Sequence, residues 1–274
     1  MIKLLNASFT RLRKTKIFWL LTIFSILFAF FMINTKYSDM KLYNEVIEVE
    51  QLMINYSTIV GIVIAIFTSL FLGVEYSDGT IRNKIIIGHK RANIYLSNLL
   101  TVIITSLFSY ILFIAVISAI GIPLFGGLTM KLSTLLKIIG CIFMTIISFS
   151  SIYTFIAMLI SNKTITAITC IMLTLGMMMI SVVCFNVINA EPTIPQGYYD
   201  NGELKYEQVQ NPRYPSELKR NVYQTIVDIL PSGQMFQIAG RTTANLKVLP
   251  LYSLGVFIVF TGTGIILFNK KDLK

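Results

Sequence analysis

The sequence predicts an all-α polytopic membrane protein with six transmembrane helices and both termini cytoplasmic. Three observations point there. First, 55% of the residues are hydrophobic and 13% are charged, where a soluble domain carries about 25% charged residues. Second, the apolar residues gather into six runs near the length of about 20 residues that a helix needs to cross a 30 Å hydrocarbon core. Third, the charge is one-sided. Placing the N-terminus, the 75–93 link, the 161–164 turn and the C-terminus together collects thirteen of the 23 Lys and Arg residues and three of the 13 acids. The remaining ten of each sign cancel, so the whole net charge of +10 falls on one face, the bias that marks a cytoplasmic side.

Taken in order, residues 1–16 place Ile2, Leu5, Phe9 and Leu12 at helical spacing among Lys3, Arg11, Arg13, Lys14 and Lys16. That pattern suits an amphipathic helix in the membrane interface, or a basic tail. The first span is 17–33, opened by Trp19 near the headgroup level. Its 17 uncharged residues exceed the apolar core of a cleavable signal peptide. A polar outer loop follows over 34–55, then the second span, 56–74. The polar link 75–93 returns the chain to a third span, 94–120. Pro123 and the Gly126–Gly127 pair make 121–133 an outer turn. The fourth span is 134–160, the cytoplasmic turn 161–164, and the fifth span 165–188. An outer segment covers 189–248, the sixth span 249–268, and a tail 269–274.

In the outer segment, the prolines and tyrosines of 191–215 suit an ordered loop or short hairpin. Over 216–230, Leu218, Val222, Ile226, Ile229 and Leu230 form one helical stripe, broken by Pro231–Gly233. A further short helix over 234–239 is expected. Such pieces either cap the bundle as re-entrant helices or rest on the outer leaflet.

The link reads E-Y-S-D-G-T-I-R-N-K-I-I-I-G-H-K-R over Glu75–Arg91. Ser77 and Asp78 are candidate helix N-caps, and Gly88 suits the left-handed position past a helix end. Thr80–Ile87 then makes about two turns, with Ile81 and Ile85 stacked and Arg82 and Lys84 on other faces. A helix so short is marginal in water, where about 12–15 residues are needed, so something else holds it. Either it lies on lipid headgroups, or it docks in a groove of a partner protein.

The string G-V-E-Y-S-D-G-T-I-R-N-K followed by G-H-K-R resembles the loop between the second and third spans of ABC-2 type transporter permeases, and the six-span plan resembles theirs throughout. The resemblance implies that this loop is the coupling helix that fits a cleft on a separate ATPase subunit, with Glu75, Asp78, Gly79, Thr80, Ile81, Arg82, Asn83, Lys84, Ile85 and Gly88 as the coupling residues. On that footing Ile81→Asp or Arg82→Glu uncouples transport and leaves insertion intact. Glu75, expected near Arg82, either ends the span or fixes the angle at which the helix leaves it. The resemblance also implies a second permease subunit, identical or related, and ATP with Mg²⁺ bound by the partner ATPase. It implies a bacterial plasma-membrane exporter; the loop marks the superfamily and not the cargo, and spans with so few charges suit apolar or amphipathic cargo, such as a peptide antibiotic or lipid-like compound.

Other chemistry finds little footing. None of the sixteen glycines precedes a lysine, so there is no Walker A loop and no ATPase motif, and the expected chain is not itself an enzyme. The single histidine, His89, has no second ligand beside it, and Cys141, Cys170 and Cys184 sit in apolar runs as packing groups, so neither a catalytic residue nor a metal site is expected. Lys137 is the only ionisable group within the spans, which disfavours an ion-driven carrier; a carrier, a channel or a non-transporting sensor is the alternative. The hydroxyls of Thr68, Ser69, Ser97, Thr101, Thr105, Ser109 and Thr145, with Asn98, suit interhelical hydrogen bonding. The basic balance is met by membrane lipid and no nucleic acid is implied.

Overall fold

A computed structural model describes residues 1–200, 203–242 and 246–272. Residues 201–202 and 243–245 of the expected outer segment, and 273–274 of the tail, lie outside the described residues. The chain is 80% helical. Among the described residues, six helices are long and apolar enough to span a membrane.

Helix α1 (Ile2–Lys14) is amphipathic and buries Leu4, Ser8 and Leu12. Extended backbone at Thr15 breaks it from α2 (Lys16–Tyr43). Helix α2 runs ten residues past the expected end of the first span. Nothing in 34–43 breaks a helix there, and Lys36 reaches Asp39 at 2.8 Å while Lys41 lies over the Tyr37 ring at 4.5 Å. Left-handed Asn44 ends it, a conformation Asn tolerates well.

The expected outer loop 34–55 is therefore mostly helical, since α3 (Val49–Asn55) follows and leads through Tyr56 into α4 (Ser57–Ser77). Glu50 on α3 is fully buried, not loop-exposed. Its Oε1 accepts from the Thr129 backbone N at 2.8 Å, the Thr129 hydroxyl at 2.7 Å and the Met130 backbone N. One carboxylate thus folds the start of the second span onto the third–fourth connection.

Helix α5 (Thr80–Ile86) follows α4. Helix α6 (Arg91–Phe125) then carries five residues beyond the expected span end, through Pro123 in its last turn, to stop at left-handed Gly126. Pro123 has no N–H to give the Ala119 carbonyl, and the helix runs only two residues beyond it. Helices α7 (Leu132–Leu159) and α8 (Lys163–Ile188) are joined by a short link in which Asn162 Oδ1 accepts from Thr164 N at 2.9 Å and caps α8.

The outer segment holds an antiparallel hairpin, β1 (Thr193–Asp200) with β2 (Glu203–Gln210), in register Thr193↔Gln210. Next come α9 (Glu217–Ile229), α10 (Pro231–Ala239) and the last span, α11 (Leu249–Lys270). Pro231 does not only end a stripe; it stands in the first turn of α10, where its missing N–H has no partner to lose. The expected apolar stripe of α9 is mostly outward: Leu218, Val222 and Ile229 are exposed, and Val227 is the buried residue. Helix α10, by contrast, is inserted. Gln234 is fully buried, accepting from the Thr145 hydroxyl at 2.8 Å and the Ser253 hydroxyl at 2.6 Å, and donating to the Asp228 carbonyl at 2.6 Å.

Helices α4 and α7 are the most enclosed spans, and α2, α8 and α11 face largely outward. Helix α2 lies on α6, α11 on α7, and α4 between α7 and α8. The centre is aromatic, with Tyr56 stacked on Tyr110 at 5.6 Å and against Phe113 at 4.7 Å. Many buried hydroxyls bond the carbonyl one turn back, as Thr101, Thr105 and Ser150 do. This satisfies them without a partner helix. Others cross between helices as expected, among them Ser8 with Ser97 at 3.3 Å, Ser25 with Ser109 at 2.7 Å, Tyr153 with Thr174 at 2.7 Å and Ser181 with Ser232 at 2.8 Å.

Candidate functional site

The end of the bundle that carries both termini is organised by one carboxylate. Helix α4 continues through Ser77, so Ser77 and Asp78 are spent on its own last turn. The Asp78 backbone N bonds the Val74 carbonyl at 2.9 Å, and the Ser77 hydroxyl bonds the same carbonyl at 3.1 Å. They do not cap α5, as the sequence pattern suggested. The residue before α5 is Gly79, left-handed at φ 65°, with no side-chain cap. Because the backbone of Ser77 and Asp78 belongs to the end of α4, the reversal rests on glycine's freedom at positive φ. At the other end Gly88 is left-handed at φ 95°, as expected. The Gly88 N–H bonds the Ile85 carbonyl at 2.9 Å and the His89 N–H bonds the Lys84 carbonyl at 3.1 Å, the paired closure of a Schellman motif.

Two contacts hold this short helix. Ile81 is 1% exposed, packed in the chain's own core. Lys84 turns inward too, its Nζ donating to Glu75 Oε1 at 2.5 Å. Glu75 is fully buried and sits at the end of α4. The same Oε1 lies 2.5 Å from Arg11 on α1, and Oε2 accepts from Asn98 Nδ2 on α6 at 2.6 Å. The Arg11 guanidinium also covers the Phe71 ring at 4.1 Å, a cation–π contact in a partly dry setting. Burial pushes the Arg11 pKa down, while Glu75 and, less, Asp78 pull it back up; a guanidinium stays charged throughout. One carboxylate thus joins α1, α4, α5 and α6.

The predicted residues divide by face. Glu75, Ile81, Lys84 and Ile85 turn toward the bundle, Ile85 only half-buried. Asp78, Arg82, Asn83 and Gly88 are exposed, and Gly79 and Thr80 are half-buried at the bend. Arg82 is not the partner of Glu75, since the break at Gly79 ends the helical register that would have aligned them. Ile86 and Ile87, absent from the predicted set, are 75% and 76% exposed. The outward surface of α5 is therefore Arg82, Asn83 and two isoleucines.

Beside this junction, Arg91 Nη1 donates to the carbonyls of Phe268 at 3.2 Å, Asn269 at 3.1 Å and Lys271 at 2.5 Å, closing the end of α11. Lys271 Nζ donates to the Tyr76 hydroxyl at 3.0 Å and the Met158 carbonyl at 3.2 Å. Nothing in the group can act as a nucleophile–base pair. No cluster of three or more His, Cys, Asp or Glu suited to a metal occurs among the described residues. The arrangement is a buried polar junction of four helices.

A profile described as ABC-2 family transporter protein matches residues 4–181, from α1 into α8. The chain belongs to the ABC-2 transporter family. No curated protein matches it. An ABC-2 permease is the transmembrane subunit of an ABC transporter, and the family implies association with an ABC ATPase subunit. In this ABC-2 permease the matched part contains the whole Glu75 junction, while the hairpin, α9, α10 and α11 lie beyond it.

Sequence reasoning about the permease misses Arg11 and Lys271, and places Asn98 as an interhelical hydrogen-bonding group without naming its partner Glu75. Asn98 carried a signal: an amide inside an apolar run needs a polar partner. Arg11 and Lys271, 64 and 196 residues from Glu75 along the chain, carried none. Lys271 also gives this permease a pH dependence. Burial lowers its pKa from 10.5 to about 8, so between those values the unfolded chain binds more protons than the folded one. Stability rises with pH across that window. The melting temperature of the wild type relative to Lys271→Met is expected to increase from pH 7.5 to pH 9.5; a flat or falling difference would refute the assignment.

Proposed function

We propose that this chain is the permease subunit of an ATP-driven ABC exporter in a bacterial plasma membrane, with α5 as the helix that couples it to the ATPase. Both termini and α5 then face the cytoplasm, in keeping with the one-sided +10 charge and the positive-inside rule. ATP and Mg²⁺ belong to the ATPase partner. Closure of two ATPase subunits moves α5, and Lys84, Glu75 and Asn98 pass the movement to α4 and α6, while Arg11 draws α1 along. The pathway lies between two permease subunits, identical or related, and the inserted α10 caps it on the outer side. The bundle's apolar, hydroxyl-lined helices suit apolar or amphipathic cargo, of the class of a peptide antibiotic or a lipid-like compound.

The observation that carries this reading is the division of α5. Its inner face is held by the permease through Ile81 and Lys84, and its outer face offers Arg82, Ile86 and Ile87 unpacked. Exposed isoleucine pairs on a fixed helix beside cations suit a protein groove. The experiment is purification of the tagged chain from its native membrane. A Walker-motif ATPase is expected to come with it. The Ile86→Asp/Ile87→Asp variant is expected to lose at least tenfold of that ATPase, because each buried isoleucine is worth about 1.5–3 kcal/mol, and to insert and elute as wild type does. Full retention by the double variant, or a wild-type chain that purifies with no ATPase, overturns the proposal. Ile81→Asp is not a docking test: it places a carboxylate in the permease's own core, and it is expected to lower the melting temperature.

A further inference from the structure

Where α1, the break at Thr15 and α2 meet α6, they leave an open groove of about 370 Å³. This lies within the 300–1,000 Å³ of small-ligand sites. Its walls are Phe9, Leu12, Phe18, Ile104 and Phe108, with Arg13 at its rim. Phe18 stacks on Phe108 at 5.9 Å, so the floor is made jointly by α2 and α6 and does not depend on α1 alone. Arg13 is exposed and has no acidic partner among the described residues, unlike Arg11 two positions earlier. Lys14 and Lys16 stand exposed beside it. Trp19 packs edge-on to Phe18 at 5.5 Å, and its indole N–H donates to the Arg13 carbonyl at 3.1 Å. That contact fixes the polar level of the groove, since a Trp of this kind sits where headgroups begin.

We propose that this groove holds one anionic phospholipid, its acyl chain against Phe18, Ile104 and Phe108 and its phosphate at Arg13. Two features select the occupant. The groove is apolar along its length apart from Thr105, whose hydroxyl is spent on the Thr101 carbonyl at 2.7 Å, and cationic only at the rim, which matches the layout of an anionic lipid. The two helices that form its floor are spans, so what reaches it comes from the bilayer. Such a lipid would wedge the break at Thr15 and set the angle of α1, the helix that supplies Arg11 to the Glu75 junction. The proposal rests on the membrane placement of α2 and α6 and is independent of what the protein transports.

Trp19 is the only tryptophan and touches Phe18 and Arg13 of the groove, so its fluorescence reports on lipid at this site. The full chain is reconstituted in phosphatidylcholine vesicles containing a small, equal fraction of either phosphatidylglycerol or phosphatidylcholine brominated on the acyl chain near the headgroup. Brominated phosphatidylglycerol is expected to quench as though enriched about fivefold, the factor contributed by one basic group at an anionic lipid surface. Arg13→Gln is expected to remove that excess and leave quenching by brominated phosphatidylcholine unchanged. Lys3→Gln, an exposed cation on the same helix outside the groove, is expected to retain the excess. Equal quenching by the two lipids, as a second protein copy covering the groove would give, overturns the proposal. So does an excess that survives Arg13→Gln, or one lost equally in Lys3→Gln, which would mean diffuse attraction to the basic end.

Discussion

Glu75→Ala is expected to destabilise the folded chain by about 3–5 kcal/mol, the range for deleting one partner of a buried ionic group. Glu75 has no exposed surface, and its two oxygens serve Lys84, Arg11 and Asn98. Deletion leaves two cations facing each other across an emptied site, one of them partly enclosed against Phe71. An exposed ion pair would be worth about 0–1 kcal/mol, so the magnitude discriminates between a joint and a surface contact. The measurement is denaturation in detergent micelles, followed by helix content and by the melting temperature. Arg11→Met and Lys84→Met should each cost less than Glu75→Ala, and the two should be non-additive, because both act on the same oxygen. A loss below about 1 kcal/mol for Glu75→Ala, or strict additivity of the two cation variants, would dismiss the junction.

The second large effect is expected at Gly233. A Cβ there would lie 2.8 Å from the Val227 Cα and 2.9 Å from its carbonyl carbon, and would clash with the Val227 carbonyl oxygen. These are backbone atoms of α9, so no side chain can rotate away. Gly233→Ala must part α9 from α10, and overpacking of this kind costs about 1–3 kcal/mol or more. The shift also moves Gln234 off Thr145 and Ser253, adding about 0.6 kcal/mol for each interhelical bond lost. Gly255→Ala is the control: a Cβ there meets nothing within 4 Å, and its effect should stay within about 0.5 kcal/mol. Hydrogen exchange should show α10 opening in Gly233→Ala and not in Gly255→Ala. Equal protection of α10 in both variants would count against the insertion of this helix.

The six-span plan could be read from composition and run length because lipid demands long apolar helices whatever their packing. Helix ends were harder to place. Residues 34–43 are polar yet contain no breaker, so α2 continued where hydropathy stopped, and Pro123 sat too near the end of α6 to stop it early. Apolar periodicity also cannot say whether a stripe meets protein or lipid, which is why Leu218 and Val222 of α9 face outward while α10, weaker in pattern, is inserted. At the stretch expected to couple, the sequence names residues but not the directions in which they point. Ile81 reads as an anchor for a partner, yet it is an anchor for its own bundle. The outward pair, Ile86 and Ile87, falls within the expected helix but outside the residues named for coupling. Glu75 was recognised as a special charge, but its partner was sought seven residues ahead in a register that Gly79 interrupts. Its other cation, Arg11, comes from a different helix and is visible only in three dimensions.

The two-sidedness of α5 has an evolutionary consequence. Under the proposed docking, residues that key the helix into its own subunit are expected to co-vary with α1, α4 and α6, whereas Arg82, Asn83, Ile86 and Ile87 are expected to vary with the partner's groove. A lineage could therefore exchange one motor for another by rewriting four side chains on a single turn and a half, leaving the membrane machinery behind them untouched.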